Sequence, residues 1–97
     1  MVTLIFKRKD KQKVYVIVGM IYGRADKAGW VSDATISVHE TYRKAIKEIR
    51  ALEKRKLNYY NSFDLEPTIE WKAEFQTLEI KCGDTVEDWV IYEKEIR

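Results

Sequence analysis

Residues 41–57, TYRKAIKEIRALEKRKL, carry the only sustained helical period in the chain. At about 100° per residue, Tyr42, Ala45, Ile46, Ile49 and Leu52 fall within one arc roughly 120° wide. An arc of this width is typical of a helix that packs one side against a core. The sequence therefore predicts one amphipathic helix, about 25 Å long, that covers one face of a sheet.

Two residues compete as the start of this helix. Ser37 forms a capping box with Glu40, whereas Thr41 immediately precedes the apolar period, and both patterns are typical of N-caps. The period weakens after Leu52, so we expect the helix to end near residue 57. Pro67, in the loop that follows, prevents its continuation.

Three strands are predicted before the helix. Alternating apolar residues predict strands over 2–7, 13–22 and 30–36, joined by polar turns. The 13–22 stretch is apolar on both faces, as expected of a central strand. Gly19 within it predicts a bulge or a bend.

Two strands are predicted after the helix. Apolar and charged residues alternate over 68–75, and the apolar set then changes parity at Leu78, which requires a bulge or a tight turn near Gln76. A last strand is expected over 86–92. The predicted order β-β-β-α-β-β defines an α+β two-layer sandwich, with a mainly antiparallel sheet of about five strands, in a single domain spanning residues 1–97.

Composition favours a small intracellular protein. With 97 residues, of which 45% are hydrophobic, the chain is long enough for one core. Cys82 is the only cysteine, which excludes an internal disulfide and fits a reducing compartment. The longest apolar run is far shorter than the roughly 20 residues of a membrane helix, and no signal peptide is recognisable. We therefore expect a cytoplasmic protein that is not inserted in a membrane.

The net charge of +2 conceals an uneven distribution. Residues 1–57 hold 14 Lys or Arg against 6 Asp or Glu, whereas residues 58–97 hold 4 against 10. Such polarity can attract an anionic partner, drive self-association into a homodimer, or cancel within the fold. The sequence leaves these three outcomes open.

The predicted helix carries a continuous basic stripe with cations at spacings of four, three and four: Arg43, Lys47, Arg50 and Lys54. Like charges at such spacings repel by roughly 0.2–0.5 kcal/mol per pair in an isolated helix. These four, with Lys44 and Arg55, are the candidate partner- or nucleic-acid-binding residues. The competing interpretation is an ordinary solubilising face of a charge-rich helix.

An acidic set lies in the second half of the chain: Glu70, Glu74, Glu79, Asp84, Glu87 and Asp88. On a contact face these carboxylates could imitate nucleic-acid phosphate. A solvated sheet face is the competing interpretation, and paired carboxylates of a hydrolytic or metal site are a further one.

No catalytic motif accompanies these charges. His39 lies near a predicted helix start without a Ser or Cys placed for nucleophilic catalysis, and His39 and Cys82 alone cannot form a zinc site. No phosphate-binding loop or dinucleotide fingerprint is present. We therefore predict no enzymatic activity, no cofactor and no metal.

In residues 1–56, three predicted strands precede a helix in which Thr41 is followed by Ala45 and by the Leu52-Glu53 end. In this pattern the segment resembles the arm-type DNA-binding domain of tyrosine integrases. The resemblance implies a domain whose sheet docks in the major groove of DNA.

The chain is small, rich in Lys, Glu, Tyr and Ile, and closes with the residues WVIYEKEIR. In size, composition and this ending it is similar to small accessory proteins of Gram-positive phages and mobile elements, among them anti-CRISPR proteins, and the likeness carries over no functional residue. It implies a non-enzymatic interaction protein that binds a host protein or ribonucleoprotein, with inhibition of a CRISPR-Cas nuclease as one such activity. The alternative is direct DNA or RNA binding by the N-terminal sheet and the basic helix, with Tyr15, Tyr22 or Trp30 on bases.

Overall fold

A computed structural model of the chain describes residues 12–23 and 35–96. These residues form an antiparallel five-stranded sheet and one long helix. In chain order the elements are β1 (Gln12–Gly23), β2 (Thr35–His39), α1 (Tyr42–Asn61), β3 (Thr68–Lys72), β4 (Thr77–Cys82) and β5 (Thr85–Ile96). The predicted α+β class is confirmed.

The order of the elements differs from the predicted one. Two strands precede α1 and three follow it in the described part of the chain, which gives β-β-α-β-β-β rather than β-β-β-α-β-β. The predicted strand over 2–7 and most of the one over 30–36 lie outside the described residues. The strand β2 begins at Thr35, within the stretch predicted over 30–36, and continues to His39.

The extra strand after the helix arises because the chain reverses at Gln76. One turn of 3-10 helix, Ala73–Phe75, ends β3, and Gln76 follows in the left-handed conformation with a φ of 49°. Its N–H donates to the Ala73 carbonyl at 3.2 Å, which closes the turn. The parity change at Leu78 therefore marks a tight turn, and the bulge interpretation is wrong.

The strand β1 lies inside the sheet, as predicted for a strand that is apolar on both faces. The strand order is β2-β1-β5-β4-β3. All of β1 pairs with β5, from Gln12 opposite Ile96 to Gly23 opposite Thr85. Because residues 12–14 provide partners there, β5 extends to Ile96, beyond the predicted end of the last strand.

One face of the sheet packs against α1 and forms the core. The buried helix residues Ala45, Ile49 and Leu52 confirm most of the predicted apolar arc. They pack against side chains from β1, β4 and β5, namely Ile17, Leu78, Ile80, Trp89 and Ile91. Tyr42 is instead 41% exposed, and its ring lies edge-on to that of Tyr15 with 5.8 Å between the centroids.

The ends of α1 are set by two side chains. Thr41 is the N-cap, because its Oγ1 accepts a hydrogen bond from the Lys44 N–H at 3.1 Å. Ser37, the other candidate, belongs to β2. The helix continues to Asn61, beyond the predicted end, because Tyr60 falls on the buried side and is only 7% exposed.

Gly19 lies in continuous strand pairing, so no bulge is formed at this position. A Cβ atom built on Gly19 would lie 2.1 Å from Cζ3 of Trp89. The glycine therefore makes room for the indole ring directly over the β1 backbone.

Candidate binding surface on the helix

The four cations of the predicted basic stripe lie on the outside of α1. At about 100° per residue they are centred roughly 150° from the buried side of the helix, and all are exposed. None of the ion pairs between described residues involves them. We call this set the basic ridge: Arg43, Lys47, Arg50 and Lys54.

The neighbouring flank of the helix is charge-paired. The Lys44 ammonium lies 2.7 Å from Oε1 of Glu40, and Arg55 Nη2 lies 3.0 Å from Oε2 of Glu48. The hydrogen bond and charge of Lys44 lower the pKa of Glu40. Of the six predicted binding residues, Lys44 and Arg55 thus have partners within the chain. The basic ridge has none among the described residues.

A small pocket opens beside the basic ridge, between α1 and the strands β3 and β4. Its volume is about 80 Å³, and its lining consists of Ile46, Ile49, Arg50, Glu53, Trp71 and Leu78. Trp71 forms an accessible wall, because it lies on β3, the outermost described strand on this side of the sheet, and is 37% exposed. An apolar cavity of about 150 Å³ admits benzene. The smaller pocket here therefore suits an aliphatic side chain better than a nucleobase.

The predicted acidic set does not form one surface. Glu87 faces α1 and is 1% exposed, so it is not accessible to a partner. Glu70, Glu79 and Asp88 are cross-strand neighbours on the opposite face of the sheet. Glu74 and Asp84 are exposed in the 3-10 turn and in the turn between β4 and β5. Strand alternation places Glu87 and its sequence neighbour Asp88 on opposite faces of the sheet.

Two lysines of the sheet form ion pairs with Glu79, the middle one of the three cross-strand carboxylates. Glu79 Oε1 lies 3.1 Å from the Lys72 ammonium and 3.6 Å from that of Lys81. Burial alone raises the pKa of Glu79, but the hydrogen bonds and charges of the two lysines outweigh it and hold that pKa below its usual value.

Glu87 is the centre of a buried polar cluster that the sequence analysis did not identify. The Tyr60 hydroxyl donates to Oε2, Trp89 Nε1–H donates to Oε1 at 2.9 Å, and the Lys56 ammonium lies 3.1 Å from Oε1. Burial, followed by the hydrogen bond to Glu87, raises the pKa of Tyr60. Because the chain itself supplies these partners, the cluster fastens α1 to the sheet. The available signal was the spacing of four that joins Leu52, Lys56 and Tyr60.

His39 and Cys82 are not brought together. His39 is on β2, the outermost described strand on its side of the sheet, where its Nε2 lies 2.9 Å from Ser37 Oγ. Cys82 is a half-buried thiol at the end of β4, and two strands, β1 and β5, lie between β2 and β4. Within residues 12–23 and 35–96, no three His, Cys, Asp or Glu side chains are arranged to hold a metal ion.

The two described aromatic residues proposed for base contacts lie on opposite faces of the sheet. Tyr15 packs against Tyr42 on the helix side, whereas the Tyr22 hydroxyl donates to Asp88 Oδ2 at 2.9 Å on the other side. Their odd and even positions in one strand impose this separation. Trp30 lies outside the described residues.

Comparison with known proteins reveals no relative: no protein family, no curated protein and no solved structure matches the chain. In the described part of the chain, α1 is too polar to cross a membrane, and no other helix is both long and apolar enough to do so.

Proposed function

We propose that this is a non-enzymatic interaction protein that binds a host protein or ribonucleoprotein through the outer side of α1. The observation that supports the proposal is the basic ridge, whose cations are exposed and unpaired among the described residues while the adjacent flank is paired. Mutual repulsion along the ridge costs the helix stability. An anionic partner offsets that repulsion and is drawn to the ridge over a distance of about 10 Å at moderate salt.

The pocket beside the basic ridge favours a polypeptide as the contacting part of the partner. An aliphatic side chain in the pocket would be buried against Trp71 and Leu78, and carboxylates flanking it would lie near Arg50. An apolar anchor surrounded by charged groups is the usual anatomy of a protein interface. The charges then control the association rate, and the anchor controls the lifetime of the complex.

The resemblance in size, composition and closing residues supports a phage or mobile-element accessory protein. Inhibition of a CRISPR-Cas nuclease is one form of the proposed activity. Such an inhibitor needs only to occupy a surface of its target.

Direct binding of DNA or RNA is the second candidate, and the length of the basic ridge favours it. From Arg43 to Lys54 the ridge extends about 17 Å along the helix. A row of this length can face several phosphates of one strand. If all four cations contact phosphates of duplex DNA, log K should fall against log salt with a slope of about −3 to −4.

Two double variants with the same change of charge test these candidates. Lys47→Glu/Arg50→Glu reverses the centre of the basic ridge, whereas Lys44→Glu/Arg55→Glu reverses the two cations that have partners. In capture from a bacterial lysate, we expect a protein or ribonucleoprotein to be retained by the parent and by the second variant, and lost with the first. Equal capture by both variants would refute the ridge as the contact surface.

Mobility-shift titrations with duplex DNA and with RNA at two salt concentrations complete the test. We expect no submicromolar binding to either nucleic acid. Submicromolar binding that disappears in Lys47→Glu/Arg50→Glu and persists in Lys44→Glu/Arg55→Glu would establish the second candidate instead. Circular dichroism of both variants shows whether the fold is retained.

A further inference from the structure

The face of the sheet that points away from α1, here called the outer face, carries an apolar patch on three adjacent strands. The patch consists of two cross-strand rows, Ile36–Val18–Val90 and Val38–Val16–Tyr92. Ile36, Val38 and Tyr92 are 63%, 61% and 46% exposed. Within residues 12–23 and 35–96, no helix or strand is layered over this patch, whereas α1 covers the opposite side of the sheet.

Exposed apolar residues that adjoin one another, unlike ones scattered singly, are typical of interaction sites. Two sheets that each expose an apolar face pack together at about 10 Å, with their strands rotated by roughly 30°. A second sheet is therefore the occupant that matches the shape of the patch.

The outer face is complementary to the same face of a second copy related by a two-fold axis. This axis lies between the two sheets, runs perpendicular to the strands and passes between the two rows. Such an axis reverses the order of positions along each strand, so it places Val16 of one copy against Val18 of the other. On β5 the positions beyond the two rows are Asp88 at one end and Lys94 at the other. The same axis brings Asp88 of each copy towards Lys94 of the other.

Asp88 and Lys94 are suited to this pairing. The Asp88 carboxylate is half-buried at the rim of the patch and accepts a hydrogen bond from the Tyr22 hydroxyl at 2.9 Å. Lys94 is exposed and forms no ion pair with another described residue. Its long side chain can absorb the rotation between packed sheets. An apolar centre with opposite charges at its rim is typical of a homodimer interface.

We propose that a second copy of this chain covers the outer face, in a two-fold dimer whose sheets pack together and whose helices lie outside. The basic ridge of each copy remains accessible in this dimer. The inference therefore rests on a different surface from the proposed function, and either can fail without the other.

Sedimentation of the full chain over a wide range of concentrations tests the dimer. We expect a concentration-dependent dimer that Ile36→Lys and Val38→Lys each weaken by about tenfold or more, because each places a cation in the apolar centre. Both residues are exposed, so the fold tolerates the changes. The matched control Ala51→Lys, at an exposed helix position, leaves the dimer unchanged. A chain that is monomeric throughout, or a dimer insensitive to both patch variants, overturns the proposal.

Exchanging the two rim charges tests the arrangement. Lys94→Asp alone and Asp88→Lys alone place like charges opposite each other, and each weakens the dimer by about tenfold or more. The double variant Asp88→Lys/Lys94→Asp, or a mixture of the two single variants, regains most of the parent affinity. A double variant as weak as the single ones overturns the face-to-face arrangement. So does a dimer that the patch variants break but the charge variants do not affect, which indicates pairing through the β2 edge.

Lys94→Asp keeps this test informative if Asp88→Lys does not fold, because Lys94 is exposed. High salt should then restore dimerisation of Lys94→Asp, since screening removes the repulsion between the carboxylates. A loss that salt does not relieve contradicts the pairing.

Discussion

The charged side chains on the two sides of α1 differ in whether they have partners within the fold. On the buried side, Lys56 contacts Glu87, which also accepts hydrogen bonds from Tyr60 and Trp89. On the outer side, the basic ridge has no ionic partner among the described residues. In a chain that is 35% charged, the number of charges does not identify a binding surface. The two sides differ in whether their cations have partners within the fold, and the proposed contact surface is the side whose cations have none among the described residues.

The strongest way to break this comparison is to place the same carboxylate on either side of the helix. Ile49 is 3% exposed, so Ile49→Asp buries a charge without a partner, and we expect a loss of at least about 4 kcal/mol and of cooperative unfolding. Lys47→Asp, on the basic ridge, should change stability by no more than about 0.5 kcal/mol. Urea unfolding followed by circular dichroism measures both. A cooperative, stable Ile49→Asp variant would show that the buried side is misassigned.

A second prediction concerns the buried cluster. Glu87→Ala leaves the Lys56 ammonium, the Tyr60 hydroxyl and the Trp89 N–H without their acceptor, and we expect a loss of about 3 kcal/mol. Removing the cation as well, in Glu87→Ala/Lys56→Met, should recover part of that loss. The double-mutant cycle should give a coupling above about 1 kcal/mol. Additive effects would mean that Lys56 and Glu87 do not interact in solution.

A smaller effect is expected where the sheet supports this cluster. Gly19→Ala inserts a methyl group at the position of the Trp89 ring, and overpacking of this kind costs about 1–3 kcal/mol. Trp89 must shift, so its fluorescence should change together with the unfolding midpoint. In a Trp89→Phe background the cost of Gly19→Ala should shrink. An equal cost in both backgrounds would indicate a backbone effect unrelated to the ring.

The smallest expected effect is a pH dependence of stability that comes from the paired flank and not from the basic ridge. Because Lys44 lowers the pKa of Glu40 in the folded state, the pair contributes stability above the ordinary carboxyl pKa of 4.5 and loses it as the pH falls through the folded value. An NMR titration of the Glu40 carboxyl should show a pKa that rises towards 4.5 in Lys44→Gln. The matched change Lys47→Gln should leave that pKa where it is.

Elements could be predicted from the sequence where the spacing of apolar and polar residues shows which side is buried. The apolar period of α1 located the helix, and the two apolar faces of β1 identified a central strand. Gln76 shows the limit: the change of parity indicates an irregularity there, but a non-glycine residue gives no sign that distinguishes a bulge from a chain reversal, so one predicted strand is two. The helix extends past its predicted end because Tyr60 is buried. A buried tyrosine needs an acceptor for its hydroxyl, and that acceptor, Glu87, is distant in the sequence.

The candidate site was predictable in part. Helical spacing alone places the basic ridge on one side of α1. Which cations have partners is decided by rotamers and neighbouring turns, as Glu40 shows for Lys44, and the pocket beside Trp71 requires strands that are far apart in sequence. The acidic set was selected by its proximity in the sequence, whereas strand alternation sends Glu87 and Asp88 to opposite faces.

The pairing of β1 with β5 sets the order in which this protein can fold. It joins residues separated in sequence by 62 positions, Gly23 with Thr85, to 84 positions, Gln12 with Ile96. During synthesis, α1 and the β3–β4 hairpin can form from local contacts as they leave the ribosome, but the middle of the sheet cannot close until β5 has emerged. In that interval β1, apolar on both faces, is without its longest partner and is the segment most exposed to aggregation or to capture by a chaperone.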